Sequence, residues 1–190
     1  MEALEERILK DGKVLPGHVL KVNHFLNHQV DTAFTMEMGQ EVARLFAEDG
    51  VTKILTIETS GIPLAFAAAA AMNLPMVFAK KNKTSNVAAD VYKATVHSYT
   101  HNRDYDVVVS KEVLGAGERV LIIDDFLANG CALRGLMEIV AEAGSMTVGC
   151  VTAIEKGFQG GGDALRKEGI RVESLAIIDE MTEETLKFRR

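Results

Sequence analysis

The stretch RVLIIDDFLANGCA, residues 119–132, decides how the rest of the chain is read. Val120-Leu121-Ile122-Ile123 is a continuous branched apolar run. Such a run suits a strand buried on both faces, as in the middle of a parallel sheet. It ends in two acids, Asp124 and Asp125, followed by the small-residue turn Ala128-Asn129-Gly130-Cys131-Ala132. Helical spacing then begins, with Leu133, Leu136, Met137 and Val140 on one face. Strand, paired acids, small loop and helix make an arrangement for a phosphorylated ligand. Free N–H groups at a helix start attract phosphate, and carboxylates at a strand's carboxyl end can take sugar hydroxyls or a bound cation. Open α/β sheets bind ligands in that crevice.

Working outward, the same alternation recurs. A short helix is expected over residues 2–11, with Leu4, Ile8 and Leu9 as its apolar stripe and Gly12 as its stop. Residues 14–30, VLPGHVLKVNHFLNHQV, have no clean period and read as an irregular cover. Asp31 or Thr32 caps a helix reaching about Ala47, with Phe34, Met38, Val42, Leu45 and Phe46 inward. TKILTI (52–57) is a central strand ending in Glu58-Thr59-Ser60-Gly61. The Ala-rich helix 62–72 is apolar nearly all round, which predicts packing on the sheet and on another subunit. LPMVFA (74–79) is a strand ending in Lys80-Lys81-Asn82-Lys83. Residues 91–99 and 105–109 alternate as an antiparallel pair around the turn His101-Asn102-Arg103-Asp104. After the helix 131–143 come the strand 146–154 ending in Glu155-Lys156, a flexible Gly160-Gly161-Gly162 turn, and a helix over 163–168. A strand over 171–178 and an edge strand over 185–188 complete the expectation. The fold class is therefore α/β, a doubly wound and mainly parallel sheet with an antiparallel insertion. Four strands end in polar loops, at Glu58, Lys80, Asp124 and Glu155-Lys156, and in a parallel sheet those ends share one edge.

The 190 residues suffice for one domain that buries roughly 70% of its unfolded surface. A net charge of −6 argues against a nucleic-acid or acidic-membrane face. Cys131 and Cys150 supply neither a disulfide framework nor a metal-ligand spacing. The charged N-terminus is unlike a signal peptide, and the most apolar segment, 62–74, is too short to span a bilayer, so a cytoplasmic protein is expected.

The stretch 119–132 resembles the phosphoribosyl-diphosphate (PRPP) motif of the type I phosphoribosyltransferases: apolar residues, two acids, then a short loop opening a helix. The order of elements is similar too, including an antiparallel hood. Within the family, DDFLANG, FLNHQVD (25–31) and IEKGFQ (154–159) look like the xanthine-using members of the purine branch. The resemblance implies a single domain over 1–190, with a base-binding cover at 1–31 and a hood and flexible loop at 80–110. It implies purine salvage: the 5-phosphoribosyl group of PRPP passes to xanthine, giving xanthosine 5′-monophosphate and diphosphate.

By that resemblance, Asp124 and Asp125 bind the ribose hydroxyls, and Ala128, Asn129, Gly130, Cys131 and Ala132 cradle the 5′-phosphate. Relatives often carry Thr or Ser hydroxyls in that loop; here backbone N–H groups must do most of the work. Glu58, Thr59, Ser60 and Gly61 form the diphosphate loop, with Ser60 where relatives commonly place an arginine. Lys80, Lys81 and Lys83 can neutralise the diphosphate, and one of the first two can reach a neighbouring subunit's site. Leu20, Asn27, Lys156 and Phe158 are the base-binding set. Lys156 donates to the O6 carbonyl, the Asn27 amide reads the O2 carbonyl, Leu20 is an apolar lid and Phe158 stacks. Mg²⁺ accompanies PRPP through its diphosphate and ribose oxygens, without direct protein ligation. A homodimer is implied, with no nucleic-acid or membrane partner.

Taken alone, several of these features have ordinary readings: Leu20 as core, Asn27 as a turn former, the lysines as a solvated run. His24 and His28 share a spacing of four without a third ligand, and Gly115-Ala116-Gly117 precedes a strand where a dinucleotide motif would follow one. Two rival functions stay open: an enzyme for guanine or hypoxanthine, less so adenine, and a non-catalytic regulator sensing PRPP or purine.

Overall fold

In the computed structural model, residues 1–82, 90–98 and 103–190 are described. Lys83 and residues 99–102, among them His101 and Asn102 of the expected turn, lie outside them, whereas Arg103 and Asp104 belong to a strand. Helix α1 (Glu2–Asp11) stops at Gly12 and buries Leu4 and Ile8, whereas Leu9 faces solvent. The expected irregular cover is a small antiparallel hairpin, β1 (Lys13–Leu15) and β2 (Val19–Lys21), followed by one wide helical turn, Asn23–Asn27. Helix α2 (Thr32–Leu45) is capped by the Asp31 carboxylate, which accepts from the Phe34 N–H at 3.2 Å. Strand β3 (Lys53–Ile57), helix α3 (Ile62–Met72) and strand β4 (Met76–Asn82) follow. Strands β5 (Val91–Ser98) and β6 (Arg103–Ser110) pair antiparallel, and β6 pairs with the far end of β4 through Lys80↔Val108. Then come β7 (Arg119–Leu127), α4 (Cys131–Glu142), β8 (Met146–Lys156), a short helical turn (Gly157–Gln159), α5 (Gly161–Lys167), β9 (Val172–Met181) and β10 (Leu186–Phe188).

The sheet order is β10-β9-β8-β7-β3-β4-β6-β5. Pairings from β9 to β4 are parallel, and those at both edges are antiparallel. The chain runs from β3 out to β4, then returns to lay β7 on the other flank of β3. The boundary between β3 and β7 is thus the topological switch point, where an α/β sheet opens a crevice at its carboxyl edge.

Alternation along β7 divides the core in two. Leu121 and Ile123 face a layer built from α1, α2 and α3, whereas Val120 and Ile122 face α4 and the antiparallel pair. Each fully buried Leu or Ile is worth about 1.5–3 kcal/mol, and all four are 0% exposed. The alanines of α3 permit close packing: a Cβ at Gly39 of α2 would meet Ala67 within 2.5–2.8 Å. Phe66 on the outer side of α3 is 62% exposed. On the other face, Gly135 of α4 touches Val96 of β5, where a Cβ would stand 2.5 Å away, so the hood sits tightly on α4.

Two expectations are corrected. Asp124 and Asp125 do not follow the strand; they lie within it, because β7 continues through Phe126↔Ile154. Nor is the triple glycine a flexible turn. Gly161 and Gly162 are buried inside α5, where a Cβ on Gly161 would strike the Ala128 carbonyl oxygen (2.3 Å) and one on Gly162 the Glu155 carboxylate (2.1 Å). Packing, not pliability, requires them. Among the described residues no helix is long and apolar enough to cross a membrane.

Candidate active site

A cleft of about 490 Å³ opens at the carboxyl edge, lined by Gly17 and His18 of the β1–β2 turn, Val19 of β2, Val96, His97 and Tyr105 of the hood, residues 126–133, Lys156 and Gln159. The expected phosphate loop therefore lines it along its whole length. Gly130 takes φ +86°, a left-handed conformation that turns the chain from β7 into α4. The first N–H groups of a helix have no intrahelical acceptor; here they belong to Cys131, Ala132 and Leu133, all on the cleft wall. Asn129 Oδ1 accepts from the Cys131 N–H at 3.4 Å. The loop is braced from behind by α5, whose Gly161 N–H donates to the Ala128 carbonyl at 3.1 Å.

The two acids take different surroundings because successive strand residues face opposite ways. Asp124 is only 6% exposed. Burial, reinforced by the neighbouring Asp125 charge, holds its carboxyl well above the usual carboxylate range. Its Oδ1 accepts from the Asp125 N–H at 2.9 Å. The diphosphate-loop candidates reach it from β3: a Cβ on Gly61 would stand 3.0 Å from Asp124 Oδ1 and 2.4 Å from Thr56 Oγ1. That Thr56 hydroxyl is buried without a hydrogen-bond partner among the described residues. Glu58 accepts from the Lys81 N–H at 2.7 Å, tying the loop to β4. Lys81 Nζ lies 5.5 Å from the Tyr105 ring and partly offsets the proton affinity of Asp124. Lys80 is exposed. Tyr105 has its hydroxyl pKa raised by burial and by the Asp124 charge.

Asp125 faces the cover. Its Oδ2 accepts from Asn27 Nδ2 at 3.3 Å, which brings a base candidate and a ribose candidate together across 98 residues of sequence. Lys156 Nζ donates to the His18 carbonyl at 2.8 Å and lies 5.7 Å from the Phe126 ring. Burial lowers its pKa. The Phe158 ring is 37% exposed and stands 5.3 Å from the His18 ring. Leu20 is buried in the α1–α3 core layer; of the expected site residues, the cleft wall takes in the 128–132 loop and Lys156, while Asp124, Asp125, Asn27, Phe158 and the 58–61 loop lie beyond it. Glu155 is also no part of the cleft. It is 0% exposed and points to α5, paired with Arg166 (2.6 and 3.0 Å) and Ser174.

His18, Tyr105, Phe126 and Gln159 were not singled out from sequence. Phe126 was hidden by taking the strand to end at the acids, and Tyr105 is placed only by the register of β6 on β5. The Gly160–Gly162 run carries a signal for tight approach at Gly161 and Gly162.

The arrangement can hold an anion on the 128–132 loop, present two carboxylates beside it, and offer a cation to a carbonyl at Lys156. The family model described as the phosphoribosyl transferase domain matches residues 30–184 of this chain. Xanthine phosphoribosyltransferase of Lachnoclostridium phytofermentans is 51% identical over 191 residues, spanning 100% of the chain and 98% of the relative. Xanthine phosphoribosyltransferase 1 of Clostridium perfringens is 52% identical over 190 residues, spanning 100% of both. Among solved structures, the APRTase of Giardia lamblia complexed with 9-deazaadenine superposes with a TM-score of 0.79 at 22% identity, over 94% of this chain and 98% of that one. The last likeness speaks for the fold alone.

Proposed function

The chain belongs to the phosphoribosyltransferase family, and on that premise we propose that it passes the 5-phosphoribosyl group of PRPP to xanthine, yielding xanthosine 5′-monophosphate and diphosphate. One observation carries the choice of base: identity of about half over the full length with relatives named for xanthine, on a chain whose cleft carries Lys156.

In this reading xanthine N9 bonds to C1 of the ribose as the C1–O bond to diphosphate breaks, and the base gives up one proton. The transition state is oxocarbenium-like, so the protein's part is positioning and charge stabilisation. The N–H groups of the 128–132 loop hold the 5′-phosphate, and Asp124 and Asp125 take the ribose hydroxyls. The 58–61 loop, with Lys80 and Lys81, faces the diphosphate. The Lys156 ammonium gives up the His18 carbonyl for the base O6, Asn27 meets the C2–N3 edge, and Phe158 stacks. Support for these roles is the proximity of the Gly61 loop, Asp124, Asp125, Asn27 and the phosphate loop at one switch point.

Phosphoribosyltransferases use Mg²⁺ with PRPP. The fit here is with a substrate-borne ion: the nearby protein donors are the hard oxygens of Asp124 and Asp125, which would hold it through the ribose hydroxyls they bind. When bound it would neutralise the leaving diphosphate. The exposed Phe66 on α3 supports a homodimer, and a cytoplasmic salvage role accords with both.

The test is product formation with PRPP, Mg²⁺ and each of xanthine, guanine, hypoxanthine and adenine. Xanthine is expected to give the highest kcat/KM. A higher value with another base would reassign the substrate, and no turnover with any base would remove the enzyme reading in favour of a PRPP or purine sensor.

A further inference from the structure

The Gly157–Gln159 turn follows Lys156 directly, and Lys156 and Gln159 both line the cleft. Gly157 is buried, and a Cβ there would lie 2.5 Å from Asp179 Oδ1 and 3.0 Å from Arg189 Nη2. The turn thus rests on a side-chain pair from the edge of the sheet. Strand β10 pairs with β9 as Lys187↔Glu180 and then Phe188↔Ile178, so Asp179 is the extra residue of a bulge. Bulges re-aim side chains. Arg189, just past β10, is fixed by its own N–H, which donates to the Ile177 carbonyl at 2.8 Å.

The Arg189 guanidinium grips two acids. Its Nε and Nη2 donate to the Asp179 carboxylate at 2.8–3.1 Å. Its Nη1 and Nη2 donate to the Asp163 carboxylate at 2.8 and 3.1 Å. Asp179 lies against the first residue of the turn, and Asp163 stands in the first turn of α5. One cation therefore ties both ends of the segment 157–163. Without it two carboxylates would face each other across that segment, and like charges repel. The three side chains keep 34–42% exposure, so these pairs add little to global stability. Two planar forks fix a geometry instead.

We propose that Arg189 is a positioning residue for base binding: by tying Asp179 to Asp163, it fixes the Gly157–Gln159 turn as a cleft wall beside Lys156. This rests on the function proposed above and names a residue outside the cleft that sets the affinity for the base.

Helix α5 and the phosphate loop have other holds, Arg166 on Glu155 and the Gly161 N–H on the Ala128 carbonyl. Arg189→Met should therefore raise the KM for xanthine about tenfold, while kcat and the KM for PRPP stay within about twofold. Arg189→Lys keeps the charge but offers a single point in place of two forks, so it should restore little of the affinity. The chain has no tryptophan, so Phe158→Trp places a sole fluorescent reporter on the turn. The anisotropy of that reporter should fall when Arg189→Met is added. If Arg189→Met does not fold, Asp179→Asn weakens the fork against Gly157 and reads the same split. A wild-type KM for xanthine, an equal rise in both KM values, full rescue by lysine, or an unchanged anisotropy would overturn the proposal. Wild-type protein inert with every base would instead defeat the function on which it rests. The anisotropy would still report the clamp, so the two failures are distinguishable.

Discussion

Gly61, after β3, and Asp124, within β7, stand so close that a Cβ on the glycine would lie 3.0 Å from the aspartate Oδ1. The same Cβ would sit 2.4 Å from Thr56 Oγ1, on a stiff β-branched side chain of a central strand. The glycine is therefore needed for close approach.

Gly61→Ala is expected to push the 58–61 loop away from Asp124. With PRPP as the varied substrate, kcat/KM should fall about tenfold or more, as for a small misplacement of binding groups. Wild-type steady-state constants in that variant would exclude the loop from diphosphate binding.

Burial and the adjacent Asp125 charge hold the Asp124 carboxyl above the ordinary carboxylate range. Its raised pKa means the native state retains a proton that the unfolded chain releases above the ordinary value of 3.8. Stability should thus decline as pH rises from that value toward the raised one. Asp124→Asn removes this dependence. Its melting temperature should exceed wild type by about 2–4 °C for each kcal/mol relieved, with the gap widening as pH rises above the ordinary carboxylate value, while PRPP use drops. Calorimetry across pH decides it; a gap that narrows as pH rises would refute the raised pKa.

Asn27→Ala should hurt xanthine more than hypoxanthine, because hypoxanthine has no group at C2 for the amide to read. A differential of about tenfold in kcat/KM is expected. Equal losses for the two bases would take Asn27 out of base reading.

Lys156→Met keeps the stem that passes the Phe126 ring and removes the ammonium. The KM for xanthine should rise by about tenfold to a hundredfold, the cost of leaving a carbonyl unpaired, with the KM for PRPP little changed. Initial rates with each substrate varied separately measure the split. A loss confined to PRPP would place Lys156 on the wrong side of the reaction.

Arg166→Met tests a pair of structural importance. Glu155 is fully buried, and Arg166 with Ser174 supplies its hydrogen bonds. Breaking a buried pair costs about 3–5 kcal/mol; the Arg166 side chain keeps 29% exposure, so the lower end is expected. Urea unfolding should show this loss, while the relative use of the four bases stays as in wild type.

Much was legible in the sequence because local composition and period decide it. The apolar run Val120–Ile123 suits a strand covered on both faces, and Leu133, Leu136 and Val140 mark a helix against it. The phosphate loop was equally readable, since small residues and a left-handed Gly130 at a helix start are local chemistry. Long-range register decided the rest. The acids lie inside β7 because β8 continues beside it to Lys156, and no single segment carries that information. Leu20 went to the core and Glu155 to α5 because a two-residue period sends neighbours to opposite faces, and only the assembled sheet says which face meets the cleft. The joining of Asn27 to Asp125 is tertiary altogether: an irregular segment and a central strand, 98 residues apart, meet because the cover folds over the switch point.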